Sequence, residues 1–251
     1  MARAETSLPE EDLDEHVRPG PRTVVVVVLA IACLAILMIA GTRMVAELTR
    51  DPTPAERQAA RTREIARRHL VWPAGQIFPA ELRYTHDVGS TETARRVGID
   101  SGTECARAVD DRLRASLTVR GCQAVLRATY LDQLQGIAVT VGVVVFLEEK
   151  QARDAAAWFP AQSPAPGLRA LAFPDSVTAR FTDAVRQTAA VRQRGPYVVA
   201  ATAGYADGRP AVAKRDRQAE PAALAAQLAD RVLGPLAAPA AIRCDAREWS
   251  C

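Results

Sequence analysis

The sequence predicts an α+β protein: one N-terminal transmembrane helix, then a single extracytoplasmic domain with a mainly antiparallel sheet packed by helices. Three observations carry this reading. A run of twenty residues, Thr23 to Thr42 (TVVVVVLAIACLAILMIAGT), contains no charge. Beyond it, β-branched segments are joined by short turns, as in Ile137–Leu147 (IAVTVGVVVFL) after Asp132–Gly136. Between them lie segments with apolar residues at helical spacing, opened by capping sequences and closed by Gly or Gly-Pro.

The uncharged run is the anchor. At 1.5 Å per residue it covers ~30 Å, the hydrocarbon thickness of a bilayer. Arg22 and Arg43 bracket it, where cationic side chains reach the headgroups. A cleaved secretory signal has a shorter apolar stretch and a small-x-small end, whereas here Met38 precedes Ala40 by two positions. A retained anchor is therefore the better reading. Flanking arginines leave its direction undecided: Arg3, Arg18 and Arg22 stand on one side, and Arg43, Arg50, Arg57 and Arg61 on the other. Cysteine placement decides it. Cys33 lies within the apolar run, and Cys105, Cys122, Cys244 and Cys251 all follow it. An even set beyond a span fits disulfides in an oxidising compartment, with buried free thiols as the competing reading. Of three possible pairings, Cys105–Cys122 and Cys244–Cys251 is favoured. The N-terminus then faces the cytoplasm and the C-terminal domain lies outside, on the cell membrane.

Four regions follow. Residues 1–22 carry Glu5, Glu10, Glu11, Asp12, Asp14 and Glu15 with little to bury, and are expected to form a disordered cytoplasmic tail. Residues 23–42 span the membrane. Residues 43–71 are expected as a juxtamembrane helical stalk, opened by the capping box Thr53/Glu56 with Pro54 at the first helical position. Residues 72–251 form the domain. Within it, Gln76–Thr85 is expected as a strand, kept at an edge by Pro79. Ser101 and Glu104 are expected to cap a helix carrying Cys105, Val109 and Leu113 on one face. A strand from Cys122 and the strand Ile137–Leu147 form a hairpin, the second apolar on both faces and hence central. A helix Glu148–Trp158 and a Pro-rich loop (SPAPGLRALAFPDS) come next. Strands are expected near 177–182, 185–193 and 197–205, with turns at Gly195-Pro196 and Asp207-Gly208. A helix Pro221–Leu233, with Leu224, Leu228 and Val232 on one face, closes the domain, and Gly234-Pro235 stops it.

Composition excludes more than it assigns. All but two of the 32 basic residues are arginine, the exceptions being Lys150 and Lys214. A net charge of +3 spread over 251 residues does not suit a dedicated nucleic-acid binder. His69 and His86 belong to no metal spacing, and no C-x2–4-C pair, G-x-S-x-G elbow, S-x-x-K or glycine-rich phosphate loop is present. No metal or cofactor is expected. Two loop clusters remain as ligand-binding candidates: His86 with Asp87, beside Tyr84 and before a Gly-Ser turn, and Tyr205, Asp207 and Arg209 around a turn that Asp207-Gly208 also explains by itself.

The layout, an anchor and then a four-cysteine α+β domain, resembles that of actinobacterial single-pass membrane proteins whose ectodomains have no assigned activity. Over residues 72–251 it is loosely similar to the extracellular sensor modules of actinobacterial serine/threonine kinases, although the chain has no kinase on its cytoplasmic side. That resemblance implies ligand sensing or binding without catalysis. The expectation is a non-enzymatic, membrane-anchored envelope protein whose ectodomain binds a wall ligand, a small molecule or an envelope protein. The alternative is a cell-envelope hydrolase, which needs a nucleophile within hydrogen-bond reach of His86 or His69.

Overall fold

The computed structural model describes residues 20–86, 89–160, 163–210, 219–239 and 244. Most of the acidic tail therefore lies outside the described residues. The chain divides into two compact units between Pro52 and Thr53.

Among its described residues the first unit has one helix, α1, Pro21–Thr49, with Pro21 at its first position. Its 29 residues are all exposed, and it is long and apolar enough to cross a membrane. At 1.5 Å per residue it reaches ~44 Å, so it continues about one and a half to two turns beyond the hydrocarbon length at its C-terminal end. The predicted 23–42 is its apolar centre.

The second unit begins with α2, Pro54–Val71, capped as expected: Glu56 N–H donates to Thr53 Oγ1 (3.3 Å) and Thr53 N–H to Glu56 Oε2 (2.7 Å). A solvated stalk was expected here, but the C-terminal half of this helix packs on the domain. Arg68, only 4% exposed, donates Nη1 to the carbonyls of Pro235, Leu236 and Ala238 and pairs with Glu64 through Nε and Nη2. The first two carbonyls end α7, Ala219–Leu236, and the third lies just beyond it, so a cation from α2 meets the last turn of the final helix and its dipole. Tyr197 also donates to the Ile65 carbonyl (2.5 Å), and the His69 ring stands edge-on to Tyr197.

Six strands form one sheet: β1 Glu81–Thr85, β2 Thr91–Ile99, β3 Ala124–Leu131, β4 Ile137–Val145, β5 Arg186–Arg194 and β6 Tyr197–Tyr205. Their order is β1-β2-β3-β4-β6-β5, and every pairing is antiparallel. This is the expected α+β class. All nine residues of β4 are buried. On one face Val139, Val141, Val143 and Val145 share a core with Leu224, Leu228 and Val232 of α7. On the other, Val144 and Phe146 meet Leu113 and Leu117 of α5, Asp111–Val119, and Ala152 and Ala155 of α6, Glu149–Ala156. Covering both faces is what an alternation-free, β-branched strand requires.

Segment 163–185, between α6 and β5, crosses the second face as a strap. It lies close because the sheet offers no side chain beneath it at three points. A Cβ at Gly142 of β4 would come within 2.6 Å of Leu168, one at Gly98 of β2 within 2.4 Å of Phe173, and one at Gly204 of β6 within 2.5 Å of the Val185 carbonyl. Buried threonines then tie the strap down: Leu171 N–H donates to Thr140 Oγ1 (2.9 Å), and Thr129 Oγ1 donates to the Leu171 carbonyl (2.7 Å).

Several expectations are corrected. β2 is a strand that the sequence hid, because only Ala94 of its nine residues is fully buried and no apolar run marks it. The first expected strand is shorter: Ala74–Ile77 is a helical turn, α3, and β1 starts after Pro79, although it is an edge strand as expected. The single helix from Ser101 is two, α4 Cys105–Ala108 and α5, because Val109 turns aside to pair with Leu168 of the strap. Glu104, without a side-chain cap, stands at the start of α4, so the Ser101/Glu104 box does not form. The expected strand at 177–182 is a 3-10 turn, Val177–Arg180, whose Thr178 N–H is capped by the Ser176 hydroxyl. Finally, α7 continues through Gly234-Pro235 to Leu236.

The Cys105–Cys122 disulfide is present and ties α4 to the segment entering β3. Cys244 is also disulfide-bonded, while Cys251 lies outside the described residues. At the β1 edge, the Gln227 side-chain amide bonds both the N–H and the carbonyl of Thr85 (2.7 and 2.8 Å), and Arg231 donates to the Arg83 carbonyl (3.0 Å).

Candidate functional site

The two predicted loop clusters are separate. His86 directly follows β1, and its backbone N–H donates to the Ser90 carbonyl to close the β1–β2 turn. Its Nε2 lies 3.3 Å from Glu220 Oε1, near the start of α7. Asp87 lies outside the described residues. Tyr205 ends β6, and β2, β3 and β4 stand between these two groups in the sheet order. His69, the other histidine of the domain, has its pKa lowered by burial against the sheet. Among the described residues no hydroxyl or thiol is hydrogen-bonded to the side chain of either histidine.

Tyr205, Asp207 and Arg209 do form a unit. Gly208 adopts φ +82°, so the turn reverses sharply and its N–H donates to the Tyr205 carbonyl (3.2 Å). The reversal brings Arg209 back over the Tyr205 ring, 4.1 Å from its centroid. Asp207 accepts the Arg209 N–H (3.0 Å) and Nε (2.8 Å). Such bonds hold the guanidinium by its inner edge. Asp207 and Arg209 line a cleft of about 310 Å³ with Arg180 and Ser176 of the strap and Gln135 of the β3–β4 turn. The Arg180 Cβ sits where a side chain on Gly208 would be, 2.8 Å from that position. Arg180, from the strap, is thereby packed against the turn that carries Arg209. Arg180 was not anticipated, since nothing local in the sequence relates it to Asp207-Gly208.

A second charged group lies where the strap meets α5. Arg186, 5% exposed, holds Asp110 through Nη1 (3.1 Å) and Nη2 (3.0 Å), and also donates to the carbonyls of Leu168 (2.8 Å) and Asp183 (3.1 Å). Asp183 in turn accepts from Arg169 Nε (2.8 Å) and the Ala170 N–H (2.8 Å), while Asp110 accepts the Gly167 N–H (2.8 Å). These residues line a cleft of about 480 Å³. Arg186, Asp110 and Asp183 each have several partners, which is the pattern of a structural lock. A smaller pair repeats it: Arg127 donates to Asp100 (2.6 Å). Burial raises the Asp100 pKa, but the Gly102 N–H and Arg127 outweigh it and hold the carboxyl below its ordinary value. Phenols in the core move the other way, and desolvation pushes Tyr197 up to about 12.

Among the described residues no group of three or more His, Cys, Asp and Glu side chains is placed to hold a metal ion. No known protein family, characterised protein or solved structure matches the chain. What the domain can do chemically is thus read from its own geometry. That geometry includes a cleft beside the Tyr205–Arg209 turn, lined by Arg180 and Arg209, and another built around the Arg186–Asp110 pair.

Proposed function

We propose that this chain is a membrane-anchored, non-enzymatic envelope protein whose ectodomain binds or senses an extracytoplasmic ligand or protein partner. One combination carries the reading: a helix long and apolar enough to cross a membrane precedes a domain closed by the Cys105–Cys122 disulfide. Disulfides persist in oxidising compartments, so α1 holds the domain on the outer side with the N-terminus in the cytoplasm. There, a rigid sheet presents the Tyr205–Arg209 turn and its cleft as a recognition surface. The histidines serve structure, His86 at a turn and His69 against Tyr197. This favours binding over hydrolysis.

Topology is tested in intact cells with a membrane-impermeant maleimide, applied before and after an impermeant reductant. Labelling of Cys105 and Cys122 only after reduction is expected. Reduced cysteines that are labelled only once the cells are lysed would place the domain in the cytoplasm and sink the proposal. Release of the protein from membranes by alkaline carbonate would remove the anchor.

A further inference from the structure

We infer that the cleft between the Tyr205–Arg209 turn and the strap is an anion subsite that takes the carboxylate or phosphate of a small ligand. This rests on the ligand-binding reading above and names its chemistry. The cleft has two guanidinium groups and one carboxylate. Asp207 is engaged by the Arg209 N–H and Nε, so it orients Arg209 while the two terminal nitrogens make no hydrogen bond among the described residues. Stacking on Tyr205 removes most of that side chain's freedom before any ligand arrives. Arg180 is exposed and makes no hydrogen bond or ion pair among the described residues, yet its Cβ is packed on Gly208 and its backbone belongs to the 3-10 turn at 177–180. Ser176 and Gln135 add polar groups at the rim. An arginine pair held at its base, with terminal nitrogens open, matches the planar or tetrahedral oxygens of carboxylate and phosphate.

The contrast with the other charged cleft supports the assignment. There Arg186 has both terminal nitrogens on Asp110, so an anion reaching for it would have to displace bonds already made. At Arg180 and Arg209 it displaces water.

The test uses the full chain in phosphatidylcholine nanodiscs, titrated calorimetrically with inorganic phosphate, acetate and short-chain phosphatidylglycerol. Binding of phosphate or acetate assigns a soluble anion, and binding of phosphatidylglycerol alone assigns a lipid headgroup. Arg180→Gln and Arg209→Gln should each weaken the bound probe about tenfold, the loss of one charge-assisted contact. Arg112→Gln, an exposed arginine lining the other cleft, should leave it unchanged. Unchanged melting temperatures confirm that the variants fold. Binding of none of the three probes overturns the inference, as does affinity unmoved by Arg180→Gln and Arg209→Gln or lowered equally by Arg112→Gln. The topology experiment is untouched by that failure, so the two claims stand or fall separately.

Discussion

Replacing Arg186 by Met tests whether the charge lock holds the strap to the sheet. Methionine keeps the length of the stem and its packing but removes four hydrogen bonds, two to Asp110 and one each to the Leu168 and Asp183 carbonyls. Breaking a buried ion pair from one side costs about 3–5 kcal/mol, because the other charge is left without its partner. Here the orphan is Asp110, whose side chain is 20% exposed and keeps the Gly167 N–H. That relief places the expected loss at the low end, about 3 kcal/mol. In a domain of this size it lowers the melting temperature by roughly 6–12 °C. Asp110→Asn, which retains shape, should cost somewhat less, about 2 kcal/mol. If the lock is a pair, the double variant loses less than the two singles together, with a coupling of about 1.5 kcal/mol. Urea unfolding of the full chain in non-ionic micelles, followed through Trp72 and Trp158, measures all four corners. A single-variant loss under about 1 kcal/mol, or additivity within about 0.5 kcal/mol, refutes the reasoning.

Gly204→Ala places a Cβ 2.5 Å from the Val185 carbonyl and should destabilise by about 1–3 kcal/mol, whereas Gly234→Ala, with nothing within 4 Å, should stabilise α7 by about 0.5–1 kcal/mol; thermal melts of the two variants should move in opposite directions. Cys105 and Cys122 lie 17 positions apart, a loop whose closure is worth about 3 kcal/mol, so a Cys105→Ser/Cys122→Ser variant should melt several degrees lower. His69 has a folded pKa below its ordinary 6.5, so its contribution is complete above about pH 6.5 and is lost as pH falls from there through the folded value. Melting temperature measured from pH 7.5 down to pH 5 should fall less steeply in His69→Gln than in the parent; equal slopes would show that His69 plays no part.

Local signals were legible and distant ones were not. The β3–β4 hairpin, the position of β4, the Thr53/Glu56 box, the apolar face of α7 and the Cys105–Cys122 pair each depend on residues close in sequence or on one periodicity. Arg68 reads as one more solvated arginine until the end of α7, about 170 positions away, arrives to receive it. The expected helix through Val109 fails for the same reason, since its partner Leu168 belongs to the strap. β2 owes its place to backbone pairing with β1 and β3, and backbone pairing leaves no mark on side-chain pattern. In the candidate site, the turn residues Tyr205, Asp207 and Arg209 were visible because Asp207-Gly208 announces a turn. Arg180 was not, because its nearness to Gly208 is made by the strap. The His86–Asp87 cluster was visible for its residue types alone, and the fold gives His86 a place at a turn.

The Gln227 amide on Thr85 also shapes how this domain meets its neighbours. An edge strand is an invitation: a second chain can add itself alongside, hydrogen bond for hydrogen bond. Here a carboxamide, the same donor–acceptor pair as a peptide unit, already occupies the last rung, and Arg231 occupies the one before it. The C-terminal end of the β1 border is covered from within by its own helix. Addition of a strand alongside β1 would have to break the Gln227 and Arg231 bonds first, so that border is a poor template for pairing between copies.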